Sequence, residues 1–265
     1  MRFWRITSPA QKSDYSHTWI NGVLLHPDSL PGVRCDVCGE TWSGSRILPD
    51  RAPEAVLRRR EQDVWPIPLE QFDALRTEAE AQIGRQGLRL MPGDSFQPAV
   101  LDVPSIPSAD FLWGSLGSLV VSARMRDLFA EKCGAAVTLA RVKFGRIGKN
   151  EALLPAPIPS TGEPEDLISE ARTLAGLSSV GPYYEAIPAS DSGWPPGGTP
   201  VSVCSGCLRP EVENQQRQLV MRADMWRGAP VFYLATTLWI VVSDEFKKQI
   251  EHLGPTNVGF EDVSK

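Results

Sequence analysis

Four of the five cysteines in this 265-residue chain fall in two Cys-x-x-Cys pairs, Cys35 and Cys38 in "GVRCDVCGETW" and Cys204 and Cys207 in "CSGC". Two such pairs supply four soft thiolates, the ligand set preferred by a tetrahedral structural zinc ion. The two-residue gap lets both sulfurs of a pair reach one ion while backbone amides turn toward them. Gly39, directly after Cys38, suits a turn that asks for positive φ. Leu208 stands at the matching place after Cys207. The second turn therefore either carries a penalty on the order of 1 kcal/mol or is shaped differently, with Gly206 supplying the freedom. A compact zinc ribbon spaces its pairs about 15–20 residues apart, whereas Cys38 and Cys204 stand 166 positions apart, so they must meet through the fold. Four outcomes compete: one shared Zn2+ ion, separate reduced pairs, a redox dithiol, and disulfides. The redox reading expects a CxxC opening a helix in a βαβ setting, and "CDVCGETWSGSRILPD" reads instead as turn and loop. A closed four-sulfur site leaves no position open for water, so the shared ion would hold structure and perform no chemistry.

The elements that must position these pairs form an echo. "ADFLWGSLGSLVVSARMRDLFAEKCG" (109–134) and "ADMWRGAPVFYLATTLWIVVSDEFKKQIEHLG" (223–254) each run through Val-Val-Ser into an amphipathic segment that stops at Gly. Ser122 and Ser243 suit N-caps, and Asp244 and Glu245 suit a first helical turn. Met125, Leu128 and Phe129 form one stripe at helical spacing, and Phe246, Ile250 and Leu253 form another. "VTLARVKF" (137–144) and "NVGFEDV" (257–263) can each return as a strand. The fold class expected is α+β, in two related halves that each carry a strand–helix–strand unit, stapled by the four-cysteine zinc site. The halves are residues 1–150, with the first pair, and 151–265, with a proline-rich linker (152–167) and the second pair; one compact domain is the alternative. "PLEQFDALRTEAEAQIGRQG" (68–87) is a further helix, with Phe72, Leu75, Ala79 and Ile83 on one face.

The formal net charge of −5 argues against broad nucleic-acid binding. The densest basic run, "LRRREQD" (57–63), reads as a solvated helix face. "MRFWRITSPAQKSD" lacks the apolar core of a secretory signal, and "VFYLATTLWIVV" (231–242) is shorter than the roughly 18 residues of a membrane helix. It suits buried strands. These features and the few cysteines point to a reducing cytoplasm. Sites of catalysis do not emerge: there is no phosphate-cradling glycine motif, no His-Glu-x-x-His, and no nucleophile elbow around Ser95 or Ser192. His17, His26 and His252 read as structural or solvated, and Cys133 as a buried inert thiol. The expectation is a non-enzymatic protein. Trp194, between Gly193 and Pro195, is a weak candidate for an interface anchor.

Taken together, "MRFWRI", "LPGVRCDVCGETW", "EQFDALR…LMPGDSF", the "FLW" region, "CSGC" and the ending "ADMW…IVVSDEFKKQIEHLGPTNVGFEDV" resemble the double-CXXCG-motif proteins, a paralogous family best known from myxobacteria. Leu208 departs from that motif. The resemblance implies a cytoplasmic immunity protein that binds and neutralises a cognate toxin domain delivered by neighbouring cells in swarm-inhibition lipoprotein systems. It carries over no partner-binding residues, because the matching motifs belong to the scaffold. The acidic balance would suit a basic partner. The alternative function is a zinc-ribbon nucleic-acid-binding regulator, for which Arg34, Arg46 and Arg209 are the basic side chains near the cysteines; a dithiol oxidoreductase is a third.

Overall fold

The structure is a computed structural model that describes residues 1–9, 22–59, 65–103, 107–113, 118–147, 181–192, 200–212, 220–234 and 237–264. In chain order the first strands are β1 (Phe3–Thr7), β2 (Val23–Leu25), β3 (Val33–Arg34), β4 (Thr41–Trp42) and β5 (Ile47–Arg51). There follow α1 (Glu54–Leu57), β6 (Ile67–Pro68), α2 (Leu69–Ile83), β7 (Ser95–Gln97), β8 (Val100–Val103), β9 (Phe111–Leu112) and β10 (Val120–Ser122). Next come α3 (Ala123–Cys133), β11 (Val137–Arg141), β12 (Lys143–Ile147) and β13 (Tyr183–Pro188). The remainder is β14 (Pro200–Val203), β15 (Pro210–Val212), β16 (Val231–Tyr233), β17 (Ile240–Ser243), α4 (Asp244–His252) and β18 (Gly259–Asp262). Several small sheets and few helices make a mixed α+β protein.

The chain divides into two compact units, each discontinuous: Met1–Leu25, Ala99–Gly193 and Leu219–Lys265 form one, His26–Pro98 and Trp194–Gln218 the other. This partition crosses the boundary expected at residue 150, because β1 pairs antiparallel with both β17 and β18 and so joins the two ends of the chain in one sheet. Both strand–helix segments lie in the first unit, and both cysteine pairs lie in the second.

In the first unit the two echoed segments build sheets of the same plan. One is ordered β9-β10-β13-β11 and the other β16-β17-β1-β18, all antiparallel. In each, a hairpin runs into a helix and the returning strand is separated from the hairpin by a strand from elsewhere in the chain, β13 or β1. The expected caps are present: the Ser122 hydroxyl accepts from the Met125 amide, and Ser243 from that of Phe246. Each contributes about 1 kcal/mol to its helix.

The inserted strands match as well. Ser122 pairs with Tyr183 and Val121 with Tyr184; Ser243 pairs with Phe3 and Val242 with Trp4. Four residues past each serine a cation covers the second aromatic, Arg126 at 4.8 Å from the Tyr184 ring and Lys247 at 4.4 Å from that of Trp4. One core joins the pieces, with Phe129 of α3 meeting Phe246 of α4 edge-on at 4.9 Å. The apolar stretch 231–242 contains the two strands β16 and β17, paired to each other. A third sheet, β12-β8-β2, completes this unit.

The second unit is organised on α2. Three of the four residues of its predicted stripe are buried, Phe72 and Ala79 wholly and Leu75 nearly so, and Ile83 is half-buried against the same core. They pack with Val33, Ile67 and Phe96 from the surrounding strands and with Leu30 and Leu90 from the connecting segments. The basic run after Leu57 is not a continuing helix over its described part. α1 ends at Leu57, and Arg58 turns to pair with Glu78 on α2. The proline-rich linker (152–167), His17 and Trp194 lie outside the described residues.

Candidate metal centre

The first cysteine turn grows out of a three-stranded sheet. β3 pairs antiparallel with β4 and parallel with β6, whose Ile67 and Pro68 lead directly into α2. Between β3 and β4 the chain reverses through two backbone hydrogen bonds. The Cys35 amide donates to the Glu40 carbonyl at 2.9 Å, and the Gly39 amide to the Cys35 carbonyl at 2.8 Å. The second bond closes the turn only if residue 39 takes positive φ, and Gly39 does so at 74°.

The second turn repeats this construction between β14 and β15. Cys204 donates to the Arg209 carbonyl and Leu208 to the Cys204 carbonyl, both at 3.0 Å. Leu208 therefore adopts φ of 64°, in the left-handed region that costs a non-glycine residue roughly 1–2 kcal/mol. Of the two shapes the sequence allowed, the strained one is present, and Gly206 does not supply the freedom. Closure by the fourth residue after the first cysteine fixes the backbone whatever side chain stands there. Gly206 serves close approach instead: a Cβ on it would lie 2.8 Å from Val37 Cγ2, 3.0 Å from Leu69 Cδ2 and 3.2 Å from Cys35 Sγ.

The two turns bring all four thiols together. The Sγ atoms of Cys35 and Cys204 are 3.7 Å apart, as are those of Cys38 and Cys207, and all four lie within 4.8 Å of one another. A tetrahedron with metal–sulfur bonds of about 2.3 Å has edges of about 3.8 Å, so the cluster has the size of a four-thiolate metal site. The separation is well beyond a bonded pair at about 2.05 Å, and all five cysteines are free. Backbone amides of Cys207 and Gly206 point at the Cys204 sulfur and hold its pKa down to about 7. Burial pushes the Cys207 thiol up to about 12. The Glu40 amide and the Cys207 thiol lower the Cys38 thiol, but desolvation and the thiols of Cys35 and Cys204 outweigh them and leave it raised. Four thiolates this close would repel one another, and a cation among them would remove that repulsion. The arrangement can hold a metal ion.

Around the cluster, Glu40 of the first turn and Arg209 of the second pair at 3.4 Å. Arg46 is engaged by the wholly buried Asp94, its Nε donating to Oδ1 at 2.9 Å. Cys133 lies apart in the other unit, where burial raises its thiol to about 12, the behaviour of an inert core cysteine. His252 is exposed at the end of α4 and His26 is half-buried. Sequence reasoning did not find the packing role of Gly206, whose neighbours Val37 and Leu69 belong to distant segments, or the Glu40–Arg209 pair. The matched offset of Glu40 and Arg209 from their cysteines is the only signal that could have suggested it.

No protein-family model matches the chain, and no curated protein is significantly similar to it.

Proposed function

We propose that Cys35, Cys38, Cys204 and Cys207 hold one structural zinc ion and that the protein is a binding scaffold without catalytic activity. Its task, as the resemblance to double-CXXCG-motif proteins implies, is to bind and neutralise a toxin domain in the cytoplasm. The observation that carries the scaffold reading is the pair of identically hydrogen-bonded turns whose sulfurs close on one another at tetrahedral spacing. Such a centre offers only sulfur and is coordinatively saturated, so a bound ion supplies folding energy and no reactive water. Zinc suits it because thiolates select soft or borderline metals and zinc has no geometric demand beyond the tetrahedron.

The immunity assignment rests on the resemblance and is compatible with the net charge of −5, which suits a basic partner such as a nuclease domain. Among the described residues no helix is long and apolar enough to cross a membrane. The nucleic-acid alternative needs free cations beside the sulfurs; of its three arginines, Arg46 and Arg209 are engaged by carboxylates and Arg34 is exposed. Co-expression with a toxin encoded alongside is the test. The reading predicts a stable complex and rescued growth; absence of both contradicts it.

We further read the chain as a duplication whose halves have exchanged their first strands. The units β1…β9-β10-α3-β11 and β13…β16-β17-α4-β18 each begin with adjacent aromatics, Phe3–Trp4 or Tyr183–Tyr184. Each contains one CxxC pair and ends on a serine-capped helix and strand. What supports the exchange is that β1 sits in the sheet of the later copy and β13 in that of the earlier one.

A further inference from the structure

The two cysteine turns share a shape and differ in what anchors them. The first is flanked by β3, the middle strand of β4-β3-β6. Val33 of that strand and Ile67 of its neighbour lie in the core beside Phe72 of α2. The second sits on β14-β15, a sheet of two strands among the described residues. Two-stranded hairpins are marginal in water unless a hydrophobic face docks them, and between Ser202 and Pro210 no aliphatic or aromatic side chain of this one belongs to the core. Val203 is 54% exposed. Over 202–210 the side chains given to the core cluster are Cys207 and, partly, Cys204, the two metal-ligand candidates themselves. The hairpin also carries the backbone strain at Leu208, whereas the first turn relieves the same demand with Gly39.

We propose that residues 200–212 are a metal-ordered element: the hairpin docks when an ion joins the four sulfurs and detaches when the ion leaves, while the first turn keeps its fold in both states. The inference rests on the shared-ion reading and goes beyond it by assigning the ordering to one side of the site. Over 202–210 the attachments of the hairpin that the structure describes run through the cysteines or through contacts that are weak without the ion. The Arg209–Glu40 pair is solvent-exposed and correspondingly weak. The Gly206 backbone is pressed against Val37 and Leu69 only while the sulfurs hold the turns together. Metal supply would thereby control whether any surface that includes Val203, Ser205 and Arg209 exists for a partner to meet.

Hydrogen exchange followed by mass spectrometry on the full-length chain tests this, with zinc bound and after chelation under reducing conditions. The expected result is that peptides reporting the Cys204 and Leu208 amides lose protection by more than about a hundredfold on chelation, while those reporting Cys35, Gly39 and α2 change by less than about tenfold. Returning zinc restores the wild-type pattern. A Cys204→Ser/Cys207→Ser chain shows the chelated pattern with or without zinc. Equal loss in both turns, or a hairpin that keeps its protection, overturns the proposal while the shared-ion reading stands. A chain that binds no zinc, read by native mass spectrometry on the same sample, overturns both.

Discussion

Cys35–Glu40 and Cys204–Arg209 close with the same two backbone hydrogen bonds, yet one turn is seated on a packed sheet and helix and the other, among the described residues, on a two-stranded hairpin. Identical local geometry arises here from unequal sources. Gly39 accepts left-handed φ at little cost, and Leu208 is held in it. A metal-binding turn is thus specified by its closing hydrogen bond and its two sulfurs, and only biased by the residue that follows. On the proposal made above, the site is asymmetric, one half a preformed platform and the other captured with the ion.

The largest effects should come from the sulfurs. Structural zinc contributes about 10–16 kcal/mol in small domains, so Cys35→Ser/Cys38→Ser and Cys204→Ser/Cys207→Ser should each abolish zinc retention in elemental analysis. The comparison sharpens in their thermal melts: the first pair should lower the metal-free midpoint too, because Cys35 is wholly buried, and the second pair should leave that midpoint near that of chelated wild type. Equal midpoints for the two variants would erase the asymmetry. Next in size is Phe72→Ala, expected to remove about 3–5 kcal/mol from the platform in urea unfolding, loaded or chelated alike. If this loss vanished on chelation, the platform would not be independent of the ion.

Two smaller changes should carry opposite signs. Gly39→Ala introduces strain where no atom lies near the added carbon, and should destabilise the zinc-loaded chain by about 1–2 kcal/mol. Leu208→Gly relieves it and should stabilise by up to about 1 kcal/mol, less what the freer unfolded chain regains. Denaturant midpoints of the loaded proteins check both. Least of all, Arg209→Ala should change stability by under about 1 kcal/mol, an effect that fades with added salt, because its pair with Glu40 is exposed.

The parts legible in the sequence are those decided within a few residues. The CxxC spacing set which atoms converge, the serines before α3 and α4 set where those helices start, and the 3.6-residue stripe on α2 set the face it buries. The parts that were not legible depend on pairings over long separations. Nothing near Phe3 announces that it will lie beside Ser243, nor near Tyr183 that it will lie beside Ser122. The division into units therefore follows these long-range strand pairings and crosses the boundary suggested by the linker. Gly206 illustrates the same limit inside the site. Its lack of a side chain reads locally as turn freedom, and its use is to admit Val37 from a segment far earlier in the chain.

The most direct test of the shared ion is X-ray absorption at the zinc edge on the purified full-length protein, paired with metal stoichiometry. The account predicts one zinc per chain surrounded by four sulfurs at about 2.3 Å. Zinc bound through nitrogen or oxygen, two ions per chain, or no metal with two disulfides in its place would contradict it.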